Sequence, residues 1–212
     1  ALKSQVNNDY NTAFGSYALE DFTGYYATAV GYNALKECTT GNHSVGIGYN
    51  AGSAITTGIE NVLMGNGSGE DLTTGEANVA IGHDALKNAT TCTKNIAIGK
   101  NSLSQSTCGS NSVAIGYFAL SFSQSGASNN TAVGFEASRQ MTTGSYNASF
   151  GRDALKANTT GNQNVAMGAY SLTDNTSGAY NTAVGYEALE NNTSGQYNVG
   201  VGYKANYDCT TG

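Results

Sequence analysis

The hydrophobic residues of this chain come in short clusters that recur with a nearly constant period, and the stretches between them are rich in Asn, Thr, Ser and Gly. In eleven of the twelve clusters a small residue is followed by a large apolar residue and a Gly, as in Ala183-Val184-Gly185, and Leu63 is the exception. The alternation in size and the enrichment in Val, Ile and Thr predict a short β-strand. A second short segment, such as Ala188-Leu189, follows each strand. The polar stretch that closes the unit predicts turns.

The Gly that follows each predicted strand shows that the whole chain is one repeated unit. The sequence numbers of successive copies of this Gly differ by 17 nine times, by 16 once and by 18 once. When the unit is numbered from the Asn that opens most copies, this Gly is position 5 and the large apolar residue before it is position 4. The Gly column consists of Gly15, Gly31, Gly48, Gly65, Gly82, Gly99, Gly116, Gly134, Gly151, Gly168, Gly185 and Gly202. The apolar column, expected to pack, consists of Phe14, Val30, Ile47, Met64, Ile81, Ile98, Ile115, Val133, Phe150, Met167, Val184 and Val201.

A fixed period this short predicts a solenoid, in which one small coil of backbone stacks on copies of itself. One such coil is too small to be stable alone, so each strand is expected to pair with the strands above and below it at about 4.8 Å. We predict an all-β fold, a parallel β-solenoid of twelve coils. It forms a single continuous domain over residues 1–212, with a partial unit at residues 1–10. The chain contains no Pro, as expected where every strand residue must donate its N–H.

Two columns of turn and polar residues fit this geometry. Position 1 is Asn in nine copies, and stacked Asn side chains can hydrogen-bond amide to amide along the solenoid. Position 15 is Gly in most copies, as at Gly41 and Gly58. We expect this Gly to adopt a positive φ, because that conformation costs other residues about 1 kcal/mol or more.

The predicted strand is apolar on both sides, which leaves two orientations open. If the small residues at positions 3 and 8 line the interior, the large residues at positions 4 and 9 point outward. They would then form an apolar stripe too large for a free surface, and partner chains would have to cover it. If the large residues face inward, a single chain could be self-sufficient. We favour the first orientation and a parallel homotrimer.

The charge and the candidate chemistry exclude several functions. The net charge is −6 with no cluster of Lys and Arg, so nucleic-acid binding is not expected. No apolar run is long enough to cross a bilayer as a helix, so membrane insertion is not expected. His43 and His83 fall in different columns, and no paired carboxylates, phosphate loop or calcium-binding nonapeptide recurs. We therefore predict no enzyme activity, no metal site and no cofactor.

Cysteine and tyrosine positions give two further hypotheses. Cys92 at position 15 and Cys108 at position 14 of the next copy would be close enough for a disulfide, and two free thiols are the alternative. The aromatic residues at position 6 could contact a glycan or a protein receptor, or they could stack on one another along the solenoid, which we favour. The tyrosines at this position are Tyr32, Tyr49, Tyr117, Tyr186 and Tyr203.

The repeat resembles sequences of known families. Residues 181–195, which read Asn-Thr-Ala-Val-Gly-Tyr-Glu-Ala-Leu and end in Asn-Thr-Ser-Gly, resemble the repeats of bacteriophage tail-fibre and related tail-fibre-domain proteins. The Ala-Ile-Gly cores at 80–82, 97–99 and 114–116 are similar to the head repeats of trimeric autotransporter adhesins. The resemblance implies a trimer of left-handed parallel β-rolls. It also implies an extracellular location, on a virion tail fibre or a bacterial cell surface.

From this resemblance we expect a structural and adhesive fibre shaft, a rigid rod that supports attachment to a host receptor. A cell-surface adhesin head is an alternative. Because the chain starts and stops within a unit, a longer fibre or end-to-end assembly into an extracellular filament is also expected. Columns of Thr pairs such as Thr39-Thr40 suggest ice binding as a further hypothesis. Adjacent residues in an extended chain point to opposite sides, however, so a flat Thr face is not expected.

Overall fold

The computed structural model describes residues 10–107, 109–124 and 126–211. In this part of the chain the regular structure is entirely β, with twelve strands of three residues and no helix. Each strand covers positions 2 to 4 of a copy. The strands are β1 (Thr12–Phe14), β2 (Thr28–Val30), β3 (Val45–Ile47), β4 (Val62–Met64), β5 (Val79–Ile81), β6 (Ile96–Ile98), β7 (Val113–Ile115), β8 (Thr131–Val133), β9 (Ala148–Phe150), β10 (Val165–Met167), β11 (Thr182–Val184) and β12 (Val199–Val201).

The chain divides into two compact units, Ala1–Cys108 and Gly109–Gly212. In the first unit β1 to β6 pair in chain order, and every pairing is parallel. In the second unit β7 to β12 pair in the same way. The register keeps each column of the repeat aligned, since Ala80 pairs with Ala97 and Ile81 with Ile98. The predicted parallel β-solenoid is therefore confirmed in both units.

The interior of a coil is filled from positions 3, 8, 9 and 12. The coil that begins at residue 78 has four fully buried interior side chains, those of Ala80, Ala85, Leu86 and Ala89. By contrast, Ile81 at position 4 of the same coil is 37% exposed. Neither predicted orientation is right as stated, because position 4 faces outward while position 9 faces inward. Both predictions assumed that neighbouring residues point to opposite sides, which holds for an extended strand. Positions 8 and 9 do not follow this rule because position 9 is not extended.

Three positions of the repeat adopt left-handed backbone conformations, namely positions 7, 9 and 17. In the coil that begins at residue 27, φ is 55° at Asn33, 50° at Leu35 and 58° at His43. The position-5 Gly has a different positive φ, between 122° and 143° in all twelve copies. These residues turn the backbone sharply within a short coil. They also bring the leucines of position 9 into the interior.

The prediction of a positive φ at position 15 is wrong for Gly41 and Gly58. Gly126 does have a positive φ, of 108°. Gly is required at Gly41 and Gly58 for another reason. A Cβ at either residue would come closer than 3.0 Å to the backbone oxygen of the corresponding Gly in the next coil. The Gly column at position 15 therefore reflects the close stacking of neighbouring coils.

Backbone hydrogen bonds between coils continue beyond the strands. The N–H of Asn33 donates to the carbonyl of Ser16 in the preceding coil at 3.0 Å. The N–H of Leu35 donates to the carbonyl of Ala51 in the following coil at 2.9 Å. The N–H groups of the left-handed residues Asn33 and Leu35 therefore bond to opposite neighbouring coils. Within each unit, turns as well as strands are held by these ladders, which satisfies backbone groups that the interior would otherwise leave unpaired.

The predicted Asn ladder is confirmed, and it lies inside the coils. The Nδ2 of Asn147 donates to Asn130 Oδ1 at 3.2 Å, and that of Asn164 donates to Asn147 Oδ1 at 3.1 Å. The Nδ2 of Asn164 also donates to the carbonyl of Gly178 at 2.8 Å. These three asparagines are at most 2% exposed. Because their amides are bonded on both sides, they can be buried without a large desolvation cost.

Candidate functional site

One apolar surface of each unit is the outward side of its sheet, formed by positions 2 and 4 and called the strand face below. None of these side chains is buried in any of the twelve strands. Met64, Ile81, Ile96 and Ile115 are each 37% exposed, and Met167 is 45% exposed. Every residue in the two columns is Thr, Ala or a large apolar residue, with no charge. Contiguous exposed apolar surface of this kind is typical of an interaction surface.

The aromatic residues of position 6 lie on the surface and stack on one another. The rings of Tyr32 and Tyr49 are 5.4 Å apart and inclined by 10°, and those of Tyr186 and Tyr203 are 5.7 Å apart and inclined by 9°. Tyr117 stacks in the same way on a Phe of the next coil at 5.3 Å. A surface role requires exposed side chains, and all five predicted contact residues are exposed, namely Tyr32, Tyr49, Tyr117, Tyr186 and Tyr203.

This stacking favours the interpretation in which the rings cover one another. A sugar ring that stacks on an aromatic residue needs an open ring face, and the faces between successive rings are occupied by the neighbouring ring. Each stacked pair therefore covers one face of each of its two rings. Position 17 contains a second column of the same kind, in which Tyr10, Tyr26 and His43 stack at 5.1 and 5.0 Å.

Charged side chains pair between coils at positions 7 and 10. The Nζ of Lys156 lies 3.2 Å from Asp153 Oδ1 in its own coil and 2.8 Å from Glu136 Oε2 in the preceding coil. Burial raises the pKa of Glu136, but the hydrogen bond from Lys156 and the nearby charge of Arg139 more than offset it and hold the pKa below its usual range. Lys87 bridges two carboxylates in the same way in the first unit. These charges have a structural role, since each of these carboxylates lies within 3.2 Å of a Lys Nζ.

A groove in the second unit was not anticipated from the sequence. Its volume is about 470 Å³, and it is lined by Phe122, Gln124, Arg139, Gln140, Thr142 and Thr159. These residues come from three successive copies of the repeat, the first of which is the longest copy in the chain. The sequence signal is a break in two columns. Position 13 is Thr in eleven copies and Gln only at Gln124, and position 11 is aromatic only at Phe122.

The cysteines are distributed as follows. Cys108 lies outside the described residues, so the hypothesis of a Cys92–Cys108 disulfide stays a prediction. Cys92 is buried, with its Sγ 3.7 Å from Ser106 Oγ. Cys38 and Cys209 are free thiols. Burial raises the pKa of Cys38 to about 11, which makes its thiol a poor nucleophile at neutral pH.

Thr39 and Thr40 are both exposed. The Thr39 hydroxyl donates to the carbonyl of Thr56 in the next coil at 3.2 Å, and Thr73 bonds to Thr90 in the same way at 2.9 Å. The hydroxyls of position 13 therefore contribute to the ladder between coils.

Comparison with known proteins gives no family for the chain. No protein-family model matches it, and neither a curated protein nor a solved structure gives a match. Among the described residues, no group of three or more His, Cys, Asp or Glu side chains is arranged to hold a metal ion. The same part of the chain contains no helix able to span a membrane.

Proposed function

We propose that the chain is part of a structural and adhesive fibre, an extracellular shaft that supports attachment of a virion tail or a bacterial surface to its target. The observation that carries this proposal is the strand face. It is uncharged, runs along the sheet of each unit, and exposes large apolar side chains. Fully burying one Val, Ile or Met side chain stabilises a protein by about 1.5–3 kcal/mol. A partner that covered the strand face would therefore gain a large stabilisation.

The partner that fits best is a second and a third copy of the same chain. Identical copies side by side present the same period, so each strand face meets another with the same spacing between coils. The absence of charge from positions 2 and 4 removes the like-charge repulsion that identical copies would otherwise suffer. A parallel homotrimer is the smallest closed arrangement that matches the trimeric fibres whose repeats this sequence resembles.

The test is the mass of the chain in solution, measured by size-exclusion chromatography with light scattering. One chain is 21.7 kDa, and a homotrimer is expected at three times that mass. The measurement should be repeated over a wide range of protein concentration. A mass of one chain at all concentrations would contradict the proposal. A mass that grows without limit would favour end-to-end filaments instead.

A cell-surface adhesin head is a second candidate, favoured by the exposed aromatic columns. The exposed rings of Tyr186 and Tyr203 are available for lateral contacts with a protein of the target surface. The two candidates make different predictions for the complete gene. A virion fibre is encoded among other virion proteins, whereas an adhesin head is followed by a stalk and a membrane anchor in the same reading frame.

A further inference from the structure

We propose that the groove of the second unit binds an acidic sugar, a carboxylate-bearing residue of a surface glycan. This inference rests on the adhesive function proposed above and assigns it a specific site. The groove is lined by Phe122, Gln124, Arg139, Gln140, Thr142 and Thr159, and its volume of about 470 Å³ is in the range of ligand sites, roughly 300–1,000 Å³. One or two sugar rings fill a space of this size.

The groove lies where the repeat departs from its own rules. Position 11 is Asp, Glu, Asn, Gln or Ala in the other copies, and Phe122 replaces it with an apolar ring. Position 10 is Arg only at Arg139, and Gln124 interrupts a column that is otherwise entirely Thr. The coil needs none of these residues for stacking, since the other copies stack without them. Departures from local consistency of this kind are expected at functional sites.

Arg139 is held in position to receive a carboxylate. Its Nη1 donates to Glu136 Oε1 at 2.9 Å, and its guanidinium lies over the rings of Phe118 at 4.8 Å and Phe122 at 5.6 Å. Its Nη2 donates to no described residue, which leaves part of the guanidinium fork available to the groove. The other oxygen of Glu136 is paired with Lys156 at 2.8 Å, so no unpaired carboxylate there repels an acidic ligand. The remaining Nη2 can donate one charge-assisted hydrogen bond to a carboxylate oxygen.

The remaining lining residues suit the hydroxyls and the carbon face of a sugar. The amides of Gln124 and Gln140 each supply donors and an acceptor, which two neighbouring sugar hydroxyls can use together. The hydroxyls of Thr142 and Thr159 donate to carbonyls of the next coil at 2.9 Å each. Their remaining lone pairs can accept from a ligand. Phe122 provides the apolar wall, so the groove combines one cation with several neutral polar groups.

The test measures binding of the full chain to immobilised polygalacturonate and polysialate by biolayer interferometry, with amylose and poly-glutamate surfaces as the neutral and the acidic non-sugar comparisons. We expect binding to at least one acidic polysaccharide and weaker binding to both comparison surfaces. Arg139→Gln should weaken this binding about tenfold or more, because a charge-assisted hydrogen bond is lost. Phe122→Asn should weaken it as well, and it is expected to fold because Asn88 and Asn191 occupy the same column.

Arg152→Gln is the matched control. It removes the same charge from the next coil, and Arg152 is exposed and does not line the groove. Its binding should equal that of the unaltered chain. The proposal is overturned by absence of binding to both acidic polysaccharides, by equal or stronger binding to amylose or poly-glutamate, or by an equal loss in Arg152→Gln. A trimeric mass without binding would contradict only the proposal that the groove binds an acidic sugar. Binding by a chain with the mass of a monomer would contradict the proposed homotrimeric fibre and support the sugar site.

Discussion

At the scale of the residue, the leucines of position 9 are the most unusual feature of the chain. Leu86 has a φ of 55° and is fully buried. The left-handed conformation costs a residue with a Cβ about 1–2 kcal/mol. Complete burial of a Leu side chain returns about 1.5–3 kcal/mol, and the backbone hydrogen bonds to the neighbouring coil are additional. The stacked structure therefore prevails over the local preference of the residue.

The same argument predicts that some left-handed residues can be improved. Glu60 at position 17 has a φ of 60° and an exposed side chain with no interior packing to lose. We expect Glu60→Gly to stabilise the protein by about 0.5–1 kcal/mol, because relief of backbone strain exceeds the greater entropy of Gly in the unfolded chain. The measurement is the midpoint of thermal unfolding, followed by circular dichroism.

Glu76 provides the control for this variant. It lies at position 16, is exposed, and does not have a positive φ. Glu76→Gly should destabilise the protein by about 0.5–1 kcal/mol, since no strain is relieved. The interpretation is wrong if both variants shift the midpoint in the same direction.

At the scale of the element, the stacked Asn side chains link one coil to the next. Asn164 receives the N–H of Asn181 at 3.0 Å and donates to the carbonyl of Gly178 at 2.8 Å, all in the buried interior. Asn164→Ala leaves these groups without partners, and each unpaired buried group costs about 1–3 kcal/mol. We expect a loss of about 3 kcal/mol in the free energy of unfolding, measured by denaturant titration.

Asn164→Ser is the graded comparison, because Ser occupies this column elsewhere in the chain. The Oγ of Ser44 accepts the N–H of Asn61 at 3.3 Å, and the Oγ of Ser112 accepts that of Asn130 at 3.2 Å. A Ser at position 164 should therefore restore one of the lost bonds and cost less than Ala. Equal losses for the two variants would show that the side-chain bond to the next coil contributes nothing.

The elements themselves could be predicted from the sequence to a large extent. The strands at positions 2 to 4, their parallel order and the buried small residues at positions 3 and 8 follow from the period and the size pattern. The left-handed positions do not follow from it, although a signal exists. Leu at position 9 is replaced by Gly52, Gly69, Ser138 and Asn206. The two Gly and the Asn belong to the residue types that adopt positive φ most readily. These three residues interrupt the Leu column in the sequence, yet they report the backbone conformation of the whole column.

The candidate groove could not be predicted because it depends on how neighbouring copies combine. Phe122 and Arg139 belong to adjacent copies of the repeat and become neighbours only through stacking. The copy that contains Phe122 is one residue longer than most others, and the pattern of residue size and polarity does not predict how the extra residue changes the local structure. By contrast, the stacking of Tyr32 on Tyr49 follows directly from the period, since the two occupy the same position in adjacent copies.

At the scale of the whole molecule, the distribution of large and small residues bears on association. Positions 3 and 8 hold mostly small residues in the interior, and the large buried side chains come mainly from positions 9 and 12. The large residues of position 4 lie outside, where they stabilise the chain only if something covers them. A repeat protein of this kind gains stability from contacts between neighbours. The strand face extends the same principle to contacts between chains.

This distribution leads to the last prediction. Met64 and Ile81 occupy position 4 in adjacent coils of the first unit and lie on the strand face. The double variant Met64→Glu with Ile81→Glu would bury two carboxylates in an interface between chains, and each buried unpaired charge costs several kcal/mol. We expect the mass measured by light scattering to fall from that of the homotrimer to that of one chain. The double variant Thr74→Glu with Thr91→Glu adds the same charge at exposed turn positions of the same two coils and should keep the mass of the homotrimer. If the two double variants have the same mass, the strand face is not the surface through which the chains associate.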